Sequence, residues 1–139
     1  MKTNEINIRD PYILQHEEKY YLYGTRSATT WGSADGFDCY ISEDMEEWQG
    51  PIEIFHNNGD FWADRNYWAP ECYYYQGEFY LVTTFGSGDR NMGTQILKSN
   101  PPTGPFVAHS YGPVTPNDLY KERPQFKKVK EIDDVLVLL

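Results

Sequence analysis

At 139 residues the chain has room for one domain with a genuine core and too little for two. Its net charge of -9 argues against a nucleic-acid partner, which needs clustered Lys and Arg, and no apolar stretch reaches the length of a bilayer span, so no membrane association is expected. Aromatic residues make up 17% of the chain, with 12 Tyr among them, which suits strand packing first and a sugar-binding surface second.

The first residues, Met1 to Asn7, show no apolar leader segment. The two cysteines, Cys39 and Cys72, have no metal-ligand spacing, and neither do His16, His56 and His109. Buried free thiols in a reducing compartment follow as the expectation, and with them a cytoplasmic location, no bound metal and no cofactor.

Tyr12 to Leu14 and Tyr20 to Tyr23 flank the polar run Gln15-His16-Glu17-Glu18, the pattern of a β-hairpin. Phe37 to Ser42 reads as a third strand and Trp48 to Ile54 as a fourth, joined by the acidic turn Glu43 to Glu47. The series then starts again. Glu71 to Tyr75, a turn at Gln76-Gly77, Phe79 to Thr84, Thr94 to Lys98 and Pro105 to Ala108 give four more strands. No window before residue 117 carries a helical apolar period.

The opening hairpins of the two series correspond at an offset of 59. Pro11-Tyr12-Ile13-Leu14 is echoed by Pro70-Glu71-Cys72-Tyr73, and Lys19-Tyr20-Tyr21-Leu22-Tyr23 by Glu78-Phe79-Tyr80-Leu81-Val82. Gly50-Pro51 is answered further on by Gly104-Pro105. Four strands repeated every sixty or so residues is the signature of a β-propeller blade. An eight-stranded β-sandwich is the competing fold, but it has no need for two halves that share their spacing. The expected organisation is all-β: two blades over residues 1–116, at about 6–58 and 66–116, followed by a divergent segment at 117–139. That segment holds five of the 12 basic residues, Lys121, Arg123, Lys127, Lys128 and Lys130, and ends on the apolar run Val135 to Leu139, as would a chain interrupted partway through its fold.

Each copy carries one carboxylate near its head, Asp10 and Glu71. Alternation along a strand puts positions 10 and 12 on one face, and 69 and 71 on the equivalent face of the second copy. Two carboxylates facing one cleft are the equipment of glycoside hydrolysis, one acting as base or nucleophile and the other as acid. Equally, both side chains can simply accept backbone hydrogen bonds where a strand begins.

Ile8-Arg9-Asp10-Pro11-Tyr12-Ile13 with Tyr20-Tyr21-Leu22-Tyr23-Gly24-Thr25, and then Tyr67-Trp68-Ala69-Pro70-Glu71 with Gly77-Glu78-Phe79-Tyr80-Leu81, resembles the opening of glycoside hydrolase family 43. That family comprises β-xylosidases, α-L-arabinofuranosidases and arabinanases on a five-bladed propeller. The resemblance covers residues 6 to 116 and implies an oligosaccharide substrate containing arabinose or xylose. It implies that Asp10 is the general base of an inverting displacement, that Trp68 packs against the sugar, and that Glu71 is a polar residue near the pocket. The family's general acid lies in a later blade, and no motif for it is found in this chain.

Three further residues are candidate substrate contacts. Trp31, in the loop Thr29 to Ser33, either rims a sugar pocket or caps the blade. Phe85 and Arg90 flank the Gly-rich loop at the equivalent end of the second copy, and a solvated loop is the simpler setting for Arg90. The expectation for the isolated chain is little or no hydrolysis. The alternative is a non-catalytic carbohydrate-binding or self-assembling propeller fragment, in which open blade edges pair with another copy.

Overall fold

The computed structural model describes residues 1–117; the expectations for the segment after residue 117 lie outside the described residues. Eight strands form two antiparallel sheets. The first contains β1 (Ile8–His16), β2 (Lys19–Arg26), β3 (Gly36–Ser42) and β4 (Gln49–His56). The second contains β5 (Arg65–Tyr75), β6 (Glu78–Ser87), β7 (Arg90–Ser99) and β8 (Val107–Ala108). Strand order is β1-β2-β3-β4 in one and β5-β6-β7-β8 in the other. Each sheet is thus a simple meander and no strand passes between them, which is blade topology and not the Greek key of a sandwich. The molecule is all-β, an unclosed partial β-propeller of two blades. Among the described residues the only helical elements are single 3-10 turns at Thr3–Glu5 and Ser27–Thr29.

The repeat extends to backbone conformation. The first hairpin of each sheet closes through a two-residue turn, Glu17-Glu18 or Gln76-Gly77, between the pairs His16↔Lys19 and Tyr75↔Glu78. All four turn residues have positive φ, at 47° and 64° in the first copy and 48° and 84° in the second. That is the geometry a tight hairpin requires to match the strand twist. Upstream, Asp10 and Ala69 hold the same left-handed kink, φ 50° and 48°, directly before Pro11 and Pro70. Pro is tolerated there because β1 and β5 are edge strands, where a missing N–H costs no ladder bond.

The sheets pack face to face. Tyr23, Phe37, Cys39, Ile54 and Phe55 of the first meet Tyr67, Cys72, Phe79, Leu81, Phe85 and Leu97 of the second in one buried cluster. Burial pushes both the Cys39 and Cys72 thiols up to about 12. The Tyr23 hydroxyl, deep in this core, donates to Pro102 O at 2.7 Å, 79 residues away in the loop before β8. The N–H of Phe106 donates to Ile54 O at 2.8 Å, a second tie between the blades.

On the outward face of the first sheet, Leu22, Tyr40 and Trp48 are covered by Ile6, Ile8 and Tyr20. The segment before β1 is pinned there: the Met1 ammonium donates to Trp48 O at 2.9 Å, and the Trp48 indole N–H donates to Thr3 Oγ1 at 2.8 Å. The acidic turn after β3 is stabilised by its own side chains. Asp44 Oδ1 accepts the N–H groups of Glu46 and Glu47 at 2.8 and 2.9 Å, and Ser42 Oγ accepts that of Met45 at 2.8 Å.

Candidate active site

The kinks at Asp10 and Ala69 lie side by side where β1 and β5 meet, and one side chain joins them. Thr25, near the end of β2, is fully buried at 0% exposure. Its Oγ1 accepts the Ala69 N–H at 2.8 Å and donates its proton toward Asp10 Oδ2 at 3.3 Å. The kink takes Ala69 out of the β5–β6 ladder, whose pairing skips from Trp68 to Glu71, so this N–H would otherwise lack a strand partner. Asp10 is similarly skipped between Arg9 and Tyr12, and its carboxylate stays exposed. Gly24 makes the approach of β1 feasible: a Cβ there would stand 2.9 Å from Arg9 O, so a larger residue would push the kinked strand away.

Two of the sequence-selected aromatics come together beside this pair. Trp68 is held at both ends. Its indole N–H donates to Thr30 O at 2.6 Å, and its backbone carbonyl accepts the Thr83 hydroxyl at 2.8 Å. Trp31 meets it edge to face, with centroids 5.4 Å apart and an interplanar angle of 79°. At 73% exposure Trp31 presents its ring to solvent instead of capping a blade. The Arg9 guanidinium lies 5.6 Å from the Trp31 ring centroid, in cation–π range. An exposed carboxylate, one restrained and one exposed indole, and a guanidinium at one end of the sheet pair can stack on a sugar ring and bond its hydroxyls.

Glu71 lies further along β5. Its carboxylate accepts the Tyr73 hydroxyl at 2.5 Å, which raises the Tyr73 phenol above its ordinary range. The Tyr73 ring in turn lies 5.7 Å from that of Tyr12. Asp10 and Glu71 therefore have separate partners. The expectation that strict alternation places them on one face meets a kink at both sites, across which the period-2 count does not run. Arg90 opens β7, exposed at a tight turn where Ser87 donates to Asp89 at 2.6 Å.

Phe85 is corrected outright. At 0% exposure it sits at the centre of the core, ringed by Phe37, Phe55, Phe61, Trp62 and Tyr67, with the Tyr67 ring perpendicular to it at 4.7 Å. It is a packing residue and reaches no sugar. Sequence reasoning also missed Arg9 and Thr25. Arg9 immediately precedes Asp10, and Thr25 faces Arg9 in the strand pairing, so adjacency to the carboxylate was the available signal.

The family model for glycosyl hydrolases family 43 matches residues 4–122. Among solved structures, an endo-arabinase from Bacteroides thetaiotaomicron is 32% identical with a TM-score of 0.74, the match covering 84% of this chain and 39% of that one. An extracellular exo-α-(1→5)-L-arabinofuranosidase from Cellvibrio japonicus is 26% identical, over 74% of this chain and 30% of the relative. An extracellular endo-α-(1→5)-L-arabinanase from Bacillus subtilis is 27% identical, over 66% and 29%. The chain thus spans about 30% of the length of the curated relatives it matches.

Both curated relatives are extracellular, which overturns the expectation of a cytoplasmic location. The physical basis of that expectation was weak. Cys39 and Cys72 are buried between the sheets, and because such shielding itself suppresses thiol reactivity, free cysteines do not report the compartment.

Proposed function

The chain belongs to glycosyl hydrolases family 43, and from that membership we propose that it carries the base and sugar-platform half of an inverting glycosidase site for arabinose- or xylose-containing glycans. Asp10 takes the proton from a water whose oxygen attacks the anomeric carbon. Trp68 stacks on the sugar, with Trp31 and Arg9 at its rim. The acid that protonates the leaving oxygen comes from outside the two blades described, since an inverting pair needs a second carboxyl group roughly 6.5–9.5 Å away, with the water between. Glu71, already bonded to Tyr73, is a wall residue in this reading.

One observation carries the role of Asp10. The kink it occupies recurs at Ala69 with the same φ and no carboxylate. The backbone there does not need an acid, so the acid at position 10 serves something other than the fold. Its left-handed conformation is also the kind of local strain that collects at active sites. The arabinan-degrading activities named for the three relatives make α-1,5-linked arabino-oligosaccharide the first ligand to try.

Titrating the 139-residue chain with arabino-oligosaccharides and xylo-oligosaccharides, followed by tryptophan fluorescence and amide shifts, tests the reading. Changes centred on Trp31, Trp68 and Asp10 are expected, without release of sugar from an aryl arabinofuranoside or xyloside. Turnover by the pure chain would overturn the division of the acid from the base, and absence of any perturbation at those residues would overturn the site itself.

A further inference from the structure

The two hydrogen bonds of Thr25 differ in kind, and the difference carries a consequence. A hydroxyl has one proton and two lone pairs. The Ala69 N–H can only donate, so its bond occupies a lone pair of Oγ1 at 2.8 Å. The hydroxyl proton is then free to turn toward Asp10 Oδ2, 3.3 Å away. Rotation toward bulk water is closed to it, because Thr25 is fully buried. An exposed Asp side chain ordinarily samples several rotamers, and Thr25 offers Asp10 a directed donor from behind. The distance is long for an O–H···O bond, as hydrogen bonds at active sites commonly are before ligand tightens them.

We infer that Thr25 is the positioning residue of Asp10: through its hydroxyl, the backbone of the second blade sets the rotamer of a carboxylate carried by the first. The inference rests on the reading of Asp10 as base for its functional meaning, but its structural content stands apart. The blade junction and the site are one unit, and a shift of β5 at Ala69 is transmitted to Asp10 through one oxygen.

Three-bond couplings from the backbone nitrogen and carbonyl carbon to Asp10 Cγ read its χ1 directly in the intact chain without sugar. A single rotamer is expected in the parent chain and in Thr25→Ser, which keeps the hydroxyl. Thr25→Val keeps the shape and loses the donor; rotamer-averaged Asp10 couplings are expected, with exchange of the Ala69 amide faster by about tenfold, the scale of one lost hydrogen bond. Should Thr25→Val not fold, Thr25→Ala gives the same reading. Averaged Asp10 couplings already in the parent chain, or an unchanged single rotamer in Thr25→Val, would overturn the inference. Because no glycan is used, failure to bind sugar overturns the base assignment and leaves the hold of Thr25 on Asp10 intact. Sugar binding with an unrestrained Asp10 overturns the inference alone.

Discussion

Asp10 and Ala69 occupy one and the same backbone kink in successive blades, φ 50° and 48°, with Thr25 Oγ1 between them. Since Ala suffices at the second position, Asp10→Ala is expected to cost about 1 kcal/mol of folding stability, the worth of the part-buried bond from Thr25. Asp10→Val places a β-branched side chain in left-handed backbone and is expected to cost roughly 1–3 kcal/mol. Urea denaturation of the two variants checks the contrast, and equal destabilisation would show that the acid serves the fold after all.

Trp68 is the restrained partner of the indole pair and Trp31 the exposed one. Replacing Trp68 with Ala removes the proposed sugar platform and frees the Thr30 carbonyl, and arabino-oligosaccharide affinity is expected to fall at least about fivefold, the worth of one aromatic contact. Trp31→Ala is expected to weaken binding less and leave stability near that of the parent chain. Fluorescence titration and thermal melting of both variants separate the roles.

Phe85 is the hub of the inter-blade aromatic cluster. Truncation to Ala leaves a cavity among rings that cannot collapse onto it, at roughly 3–5 kcal/mol. For a domain whose total stability is on the order of 5–15 kcal/mol, Phe85→Ala is expected to lower the urea midpoint by a large fraction. A midpoint close to the parent's would contradict the placement of this ring in the core.

Cys39 and Cys72 are buried, and their thiols are raised to about 12 by that burial. The thiolate is the reactive form, so neither cysteine is expected to react with a charged disulfide reagent at pH 8 in the native chain. Both react in denaturant. Stoichiometric native labelling would show that the two sheets separate readily.

Acid weakens the fold through specific carboxylates. The Arg26 guanidinium holds the Glu53 carboxyl below its ordinary value of 4.5, and the backbone N–H groups of Glu47 and Glu46, with the Ser42 hydroxyl, hold that of Asp44 below 3.8. A lowered folded-state pKa contributes stability that is complete above the unfolded value and is lost as pH falls through the folded one. The melting temperature is therefore expected to hold down to about pH 4.5 and decline below it. Glu53→Gln should shallow that decline, which a series of melts across pH 2.5–6 would reveal.

The hairpins, the blade meanders and the repeat were legible in the sequence because they rest on local patterns: the aromatic runs, Gln76-Gly77 at a turn, and a proline near the start of each copy. The kinks were not. Positive φ is easily read where a glycine marks it, as at Gly77, and is hidden at Asp10, Glu17 and Ala69. Hidden kinks also interrupt the strands through which the alternation count for Asp10 and Glu71 was run, and they concealed how far β5 extends upstream of Glu71 to Arg65. Phe85 was misjudged for another reason. It shares parity with Phe79 and Leu81, both in the core, so the period of 2 already pointed inward, whereas its place beside a Gly-rich loop pointed outward. The junction of Thr25 with Ala69 depends on how two sheets stack, and nothing in either strand announces it.

Repeat proteins whose units touch through modest surfaces melt in stages, each unit with its own transition. The bond from the Tyr23 hydroxyl to Pro102 O joins the second strand of one blade to the loop before the last strand of the other. Together with the single buried core that both sheets share, it leaves neither meander a core of its own, and the pair should disassemble in a single cooperative step, with ring fluorescence and backbone dichroism tracing the same curve.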